Sequence, residues 1–343
     1  MTMSEFVSPL TGPAAFKIGS TVDCYEFLEV LSHGDNSVSY KVRNIVARRF
    51  ELLKVLAWHS EYSLEGEERF LREVNVHARL VHPNIVRFYN AAILQERLVM
   101  TTEFVEGVTL ARRLASGPMS WEEGFECASQ VLTALGCAHS HAVMHRHITP
   151  NNIVLALSGP VKLTGFDLAK GLKDKKLTAL GVIVGDTRYM SPEQVEGQPL
   201  CDITSDIYSL GVVLYQTVTG APLFESKSQF ELMHAHLKTI PAPPSRINHS
   251  LPPEVDRVIL KALEKEPAKR FQSPDEFRAA ITSVRVSGPA PTEQVQHCKP
   301  VLQMSPPKVP ALPLFAEVPS SSKVTIIAAL VLIAVIVVVA LRL

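Results

Sequence analysis

The segment from Asp206 to Val218 is almost wholly apolar. A helix that is apolar on all sides has to be enclosed by other elements. The rest of the chain supplies them unevenly. Residues 25–56 read as short strands, with Val38, Tyr40 and Val42 on alternate positions, the period of a half-buried strand. Residues 68–80 and 124–141 carry apolar positions at helical spacing, for example Val131, Leu132 and Leu135. Strands first and helices later imply an α+β architecture of two lobes, one small and β-rich, one large and helical.

Lysine plus arginine and aspartate plus glutamate number 34 each, so the formal net charge is zero. A nucleic-acid groove needs a basic surplus, and none is expected here. Lys170, Lys173, Lys175 and Lys176 form a local cluster, read as a solvated face. The five cysteines, Cys24, Cys127, Cys137, Cys201 and Cys298, form no C-x-x-C pair. That is a reduced, cytosolic pattern. No charged stretch followed by an apolar run opens the chain, so no signal peptide is expected. Residues 324–341, from Val324 to Leu341, are apolar except for Thr325. As a helix they would span about 27 Å, close to the hydrocarbon thickness of a bilayer. This predicts a transmembrane helix over 323–343, with the bilayer as partner and the folded domain on the cytoplasmic side as a single-pass, C-terminally anchored protein. Between them, residues 286–322 carry eight prolines. Such a segment is extended and packs no core, so it reads as a spacer.

The middle of the chain carries the chemistry. Val143-Met144-His145-Arg146-His147-Ile148-Thr149-Pro150-Asn151-Asn152 resembles the catalytic loop of a protein kinase, H-R-D-L-K-P-x-N. His145, Arg146, Pro150 and Asn152 match it. His147 stands at the catalytic aspartate position and Thr149 at the catalytic lysine position. A second motif, Gly165-Phe166-Asp167, resembles D-F-G with its outer letters exchanged. In the family that first aspartate binds the magnesium that bridges the phosphates. Gly165 occupies it, so no intact metal site is expected, with Asp167 two residues away. The glycine loop G-x-G-x-x-G-x-V keeps only Gly34. Ser32 and Ser37 replace its outer glycines, and Asp35 adds a negative charge.

Other positions match more fully. Lys54 and Glu73 correspond to the family's phosphate-binding lysine and its partner on the small-lobe helix. Thr102-Glu103-Phe104-Val105 resembles the gatekeeper and hinge, where Glu103 and Val105 would hold nucleotide. Leu52 and Ser39 replace an alanine and a valine that roof the adenine. His82-Pro83-Asn84-Ile85-Val86, Tyr189-Met190-Ser191-Pro192-Glu193, Asp202 to Gly211 and Lys269-Arg270-Phe271 resemble structural landmarks. The resemblance implies a buried Glu193–Arg270 ion pair and an Asp206 brace on the catalytic loop. It also places His139 and His145 where the family often has histidine. The run of Cys137, His139, His141, His145 and His147 therefore reads as structural rather than as a metal site.

The resemblance covers about Tyr25 to Val284 and points to bacterial Ser/Thr protein kinases anchored by one membrane span. It implies a domain at 25–285, after an N-terminal extension at 1–24. With base, lysine and metal aspartate all changed, the leading expectation is a catalytically impaired member, a pseudokinase acting as a signalling scaffold with unidentified protein partners. One alternative is an active Ser/Thr kinase transferring the γ-phosphate of ATP with His147 at the base position. Another is a nucleotide sensor without transfer. No resident cofactor is expected, ATP binding should be weak, and magnesium should matter little. Thr178 and Thr187 are candidate phosphorylation sites, with Arg146 as phosphate partner.

Overall fold

The computed structural model describes residues 16–33, 37–56, 64–166, 169–171, 185–198 and 202–287. The chain divides into two units, Met1–Pro289 and Ala290–Leu343, and the second lies outside the described residues. Gly34, Asp35, Asp167 and Thr178 also lie outside them.

The small lobe is an antiparallel sheet of β1 (Thr21–Val22), β2 (Tyr25–His33), β3 (Ser37–Asn44), β4 (Arg49–Leu56), β5 (Phe88–Leu94) and β6 (Arg97–Glu103). The strand order is β1-β2-β3-β4-β6-β5. The alternation read from the sequence is the one that packs. Val38, Tyr40 and Val42 are buried on one face of β3, with Leu53 and Val55 of β4 beside them. Phe27 lies edge-on to Tyr40, ring centres 5.2 Å apart, and stacks on Phe16 at 4.5 Å. The core therefore takes in Phe16 and β1, upstream of residue 25. Helix α1 (Leu64–His77) buries Phe70, Glu73 and Val76.

After β7 (Gly107–Thr109) and α2 (Leu110–Leu114), the large lobe begins with α3 (Trp121–Ser140). A reciprocal capping box between Ser120 and Glu123 starts α3, satisfying two of the orphan donors at a helix N-terminus. Short strands β8 (Val143–Met144), β9 (Ile153–Ala156), β10 (Lys162–Leu163) and β11 (Lys170–Gly171) frame the loop carrying His147. Helices α4 (Pro192–Val195), α5 (Ile203–Thr219), α6 (Gln229–Lys238), α7 (Pro253–Ala262) and α8 (Pro274–Ser287) complete the lobe.

Helix α5 is the apolar segment that required enclosure. Apart from Ile203, Gln216 and Thr219, every residue in it is buried. Asp202 caps its start, and Gly220 ends it in a left-handed turn at φ 74°. That conformation suits glycine because it lacks a Cβ. At Gly211 a Cβ would come 2.9 Å from the Ala262 Cβ, so α5 and α7 approach more closely than an alanine would allow.

The α+β bilobal fold is thus shown, but without the expected transmembrane helix. No helix among the described residues is long and apolar enough to cross a membrane. Their most enclosed apolar helix, α5, is used up inside the large lobe. Residues 324–341, on which the expectation rested, lie outside the described residues. The bilayer partnership and the membrane-anchored localisation are withdrawn with it.

Candidate active site

The loop after β8 is held from below by α5. Asp206 accepts from the backbone N–H groups of His145 and Arg146 at 2.9 and 2.7 Å, and from His139 Nε2 at 2.8 Å. Burial pushes its carboxyl up, but the His139 hydrogen bond and neighbouring positive charge outweigh that and hold it below the usual range. The brace matters because Arg146 has φ 63°. A left-handed non-glycine residue costs about 1–2 kcal/mol, and two charge-assisted hydrogen bonds offset that. His145 donates from Nε2 to the Thr164 carbonyl at 2.9 Å and accepts the His147 N–H at Nδ1, 3.2 Å away. His139 and His145 are thus both engaged in hydrogen bonds within the large lobe. Among the described residues no group of His, Cys, Asp and Glu is arranged to hold a metal ion.

On the small-lobe side, Lys54 Nζ contacts both carboxylate oxygens of Glu73, at 2.9 and 2.7 Å. This pair ties β4 to α1. Phe166 also touches two imidazoles at tilted angles, with ring centres 5.3 Å from His77 and 4.6 Å from His145. These contacts join α1, the Gly165-Phe166 segment and the His147 loop. Glu103, at the end of β6, accepts from Lys162 Nζ at 2.9 Å and from the Arg87 N–H at 3.1 Å. Val105 follows it, half-buried, in the connection to β7. Thr102 is buried and sits opposite Leu52 in the β4–β6 register. Ser39 sits opposite Lys54.

The magnesium position does not fit its ion. Gly165 has φ 81°, and a Cβ there would lie 2.5 Å from both Asn152 Nδ2 and Oδ1. Asn152 is fixed by donating from Nδ2 to the His147 carbonyl at 2.9 Å, while its own carbonyl accepts the Thr164 N–H at 2.9 Å. The space that a metal-binding side chain would need is therefore taken by Asn152.

His147 and the buried Thr149 line a small cavity of about 10 Å³ with Arg146, Ile148, Gly185, Asp186, Tyr189 and Met190. That is room for roughly one water-sized group. Asp186 was not singled out from the sequence. It lies some forty residues from His147 in a segment where no local pattern marks a carboxylate as part of the site. Thr187, beside it, is buried.

The segment carrying Asp186 is anchored by the ion pair expected between Glu193 and Arg270. Two hydrogen bonds of 2.7 and 2.9 Å join them, and Arg270 also donates to the carbonyls of Glu264, Thr204 and Lys265. Burial raises the Glu193 carboxyl, but Arg270 and the Ser205 hydroxyl reverse this and hold it low.

Residues 25–280 match the protein kinase domain family model. The serine/threonine-protein kinase PknB of Mycolicibacterium smegmatis is 35% identical over 278 residues, covering 78% of this chain and 44% of that protein. PrkC of Bacillus subtilis, also named a serine/threonine-protein kinase, is 33% identical, covering 75% of this chain and 40% of its own length. The chain thus spans less than half the length of these curated relatives. The crystal structure of the Mycobacterium tuberculosis PknI kinase domain superposes with a TM-score of 0.60 at 25% identity, covering 78% of this chain and 99% of that one. These relatives, two of them named as serine/threonine-protein kinases, overturn the expectation of a degenerate pseudokinase. The departures at His147, Thr149 and Gly165 remain, but they sit in a closed Lys54–Glu73 pair and a braced loop. The chain belongs to the protein kinase domain family.

Proposed function

We propose that this domain is a serine/threonine protein kinase, transferring the γ-phosphoryl group of ATP to protein hydroxyls with His147 at the base position. The observation that carries this reading is the Lys54–Glu73 pair, closed at 2.7 Å, together with the ring contacts of Phe166 with His77 and His145. Phosphoryl transfer depends mainly on positioning and electrostatic stabilisation, and these contacts position both halves of the site. In this reading Lys54 meets the phosphates, and Glu103 and Val105 hold the nucleotide edge. His147 takes the proton of the acceptor hydroxyl, a role to which imidazole is suited near neutral pH. Thr149 leaves the phosphate without the family's second lysine. ATP binding should accordingly be weak and depend little on magnesium. The kinase relatives named above support the reading.

The test uses the full chain with γ-labelled ATP, with and without magnesium. Label should enter the protein itself or a generic serine- and threonine-containing substrate, and Lys54→Ala should abolish it. Incorporation no greater than that of the Lys54→Ala variant would overturn the reading.

A further inference from the structure

His147 and Asp186 face one cavity of about 10 Å³ from two different segments, room for roughly one water-sized group. A serine or threonine hydroxyl is a group of that size. The backbone of His147 and the side chain of Asp186 are each held by their surroundings. The His147 N–H donates to His145 Nδ1 at 3.2 Å, and its carbonyl accepts from Asn152 at 2.9 Å. Asp186 accepts from the Arg188 backbone N–H at 3.1 Å and from its guanidinium at 2.9 and 2.5 Å. We propose that Asp186 is the positioning carboxylate of His147, the two forming an acid–base pair across a hydroxyl-sized cavity. The proposal rests on the kinase reading above.

The carboxylate missing from the loop position is thereby supplied by a neighbouring segment. In the transfer step the imidazole takes the hydroxyl proton, and the hydroxyl oxygen bonds to the γ-phosphorus of ATP. The bond from that phosphorus to its bridging oxygen breaks, and the electron pair leaves on ADP. Asp186, part-buried, offsets the positive charge that His147 then carries, the part a carboxylate plays for a general-base histidine. The other groups around the pair are Arg146 and Tyr189 on the cavity wall, Arg188 on the carboxylate and His145 under the loop. Burial pushes the Asp186 carboxyl up. The Arg188 hydrogen bonds and the charges of Arg188 and His147 bring it below its ordinary range. The geometry and the charge balance therefore agree.

Two measurements on the full chain decide it. The Asp186 carboxyl, followed by carbon NMR, should titrate at a pH higher by about half a unit or more in His147→Gln; an unmoved midpoint overturns the pairing. In the kinase assay, Asp186→Asn should lower kcat about tenfold or more and displace the acid-side limb of the pH–rate profile. Asp186→Glu should restore that limb, and Arg188→Gln should leave it in place. If Asp186→Asn and Arg188→Gln lower the rate alike with an unmoved limb, Asp186 only clamps its loop and the proposal is wrong. A thermal melt of each variant identifies any that fails to fold, and the Asp186→Glu profile then serves in its place. If the unaltered chain transfers no phosphate, the kinase reading fails by itself, and the Asp186 titration still decides the pair.

Discussion

Gly165 shows how one residue can decide the shape of a site. Its backbone lies in the left-handed region, at φ 81°, and the Asn152 amide occupies the space where a Cβ would go. Gly165→Ala should therefore destabilise the protein by about 1–3 kcal/mol, from left-handed strain plus the displaced amide. Asn152→Ala should relieve the second part. A double-mutant cycle by urea denaturation should give a coupling of about 1 kcal/mol. A Gly165→Ala protein as stable as its parent would show that Asn152 is free to move aside. The substitution of glycine at 165 is plain in the sequence. The filling of its space by Asn152 is not, because the two residues meet only once β9 and β10 pair.

Among the elements, α5 carries both the core and the loop. Its apolar faces pack against α3 and α7, while its first turn presents Asp206 to the backbone of His145 and Arg146. Asp206→Ala would leave two buried N–H groups and His139 without their acceptor. The expected cost is on the order of 3–5 kcal/mol, as for breaking one side of a buried charged network. Amide exchange should quicken at His145 and Arg146 well before α3 is exposed. Uniform quickening across the large lobe would mean instead that the loop and lobe open as one unit. The helix, its burial and the Asp206 brace were all legible in the sequence. The burial followed from a run with no polar face. The brace followed from the family resemblance.

At the scale of the molecule, stability should fall on mild acidification. His77 bridges α1 to the Val86 carbonyl at 2.7 Å, and His236 lies between Tyr208 and the Arg188 carbonyl at 3.0 and 3.1 Å. Burial, then neighbouring positive charge, lowers both imidazoles to about 4. An unfolded histidine titrates near 6.5, so between these values the unfolded chain binds more protons and stability rises with pH. The contribution is complete above about pH 6.5 and is lost as pH falls toward about 4, roughly 3 kcal/mol for each histidine. Glu193 and Asp206, held below their ordinary range, add losses in the same direction at lower pH. Urea midpoints measured from pH 7.5 to 4.5 should show this slope, and His236→Gln should flatten it. An unchanged slope in that variant would remove His236 as a source.

Periodicity located β3, α1 and α3, and an unbroken apolar run located α5, because a residue's partners in a strand or helix are its near neighbours. The resemblance placed Lys54 with Glu73 and Glu193 with Arg270, since spacing within a known fold stands in for distance. The membrane helix was inferred from the length and apolarity of residues 324–341, which lie outside the described residues. The inactive reading gave the three altered residues, His147, Thr149 and Gly165, more weight than the retained Lys54, Glu73 and Asn152. Tertiary structure alone decided the rest. It set the amide of Asn152 in the space beside Gly165 and brought Asp186 to the cavity of His147. Both are meetings between segments distant in sequence, whose positions follow from how the lobe packs and from no local pattern of residues.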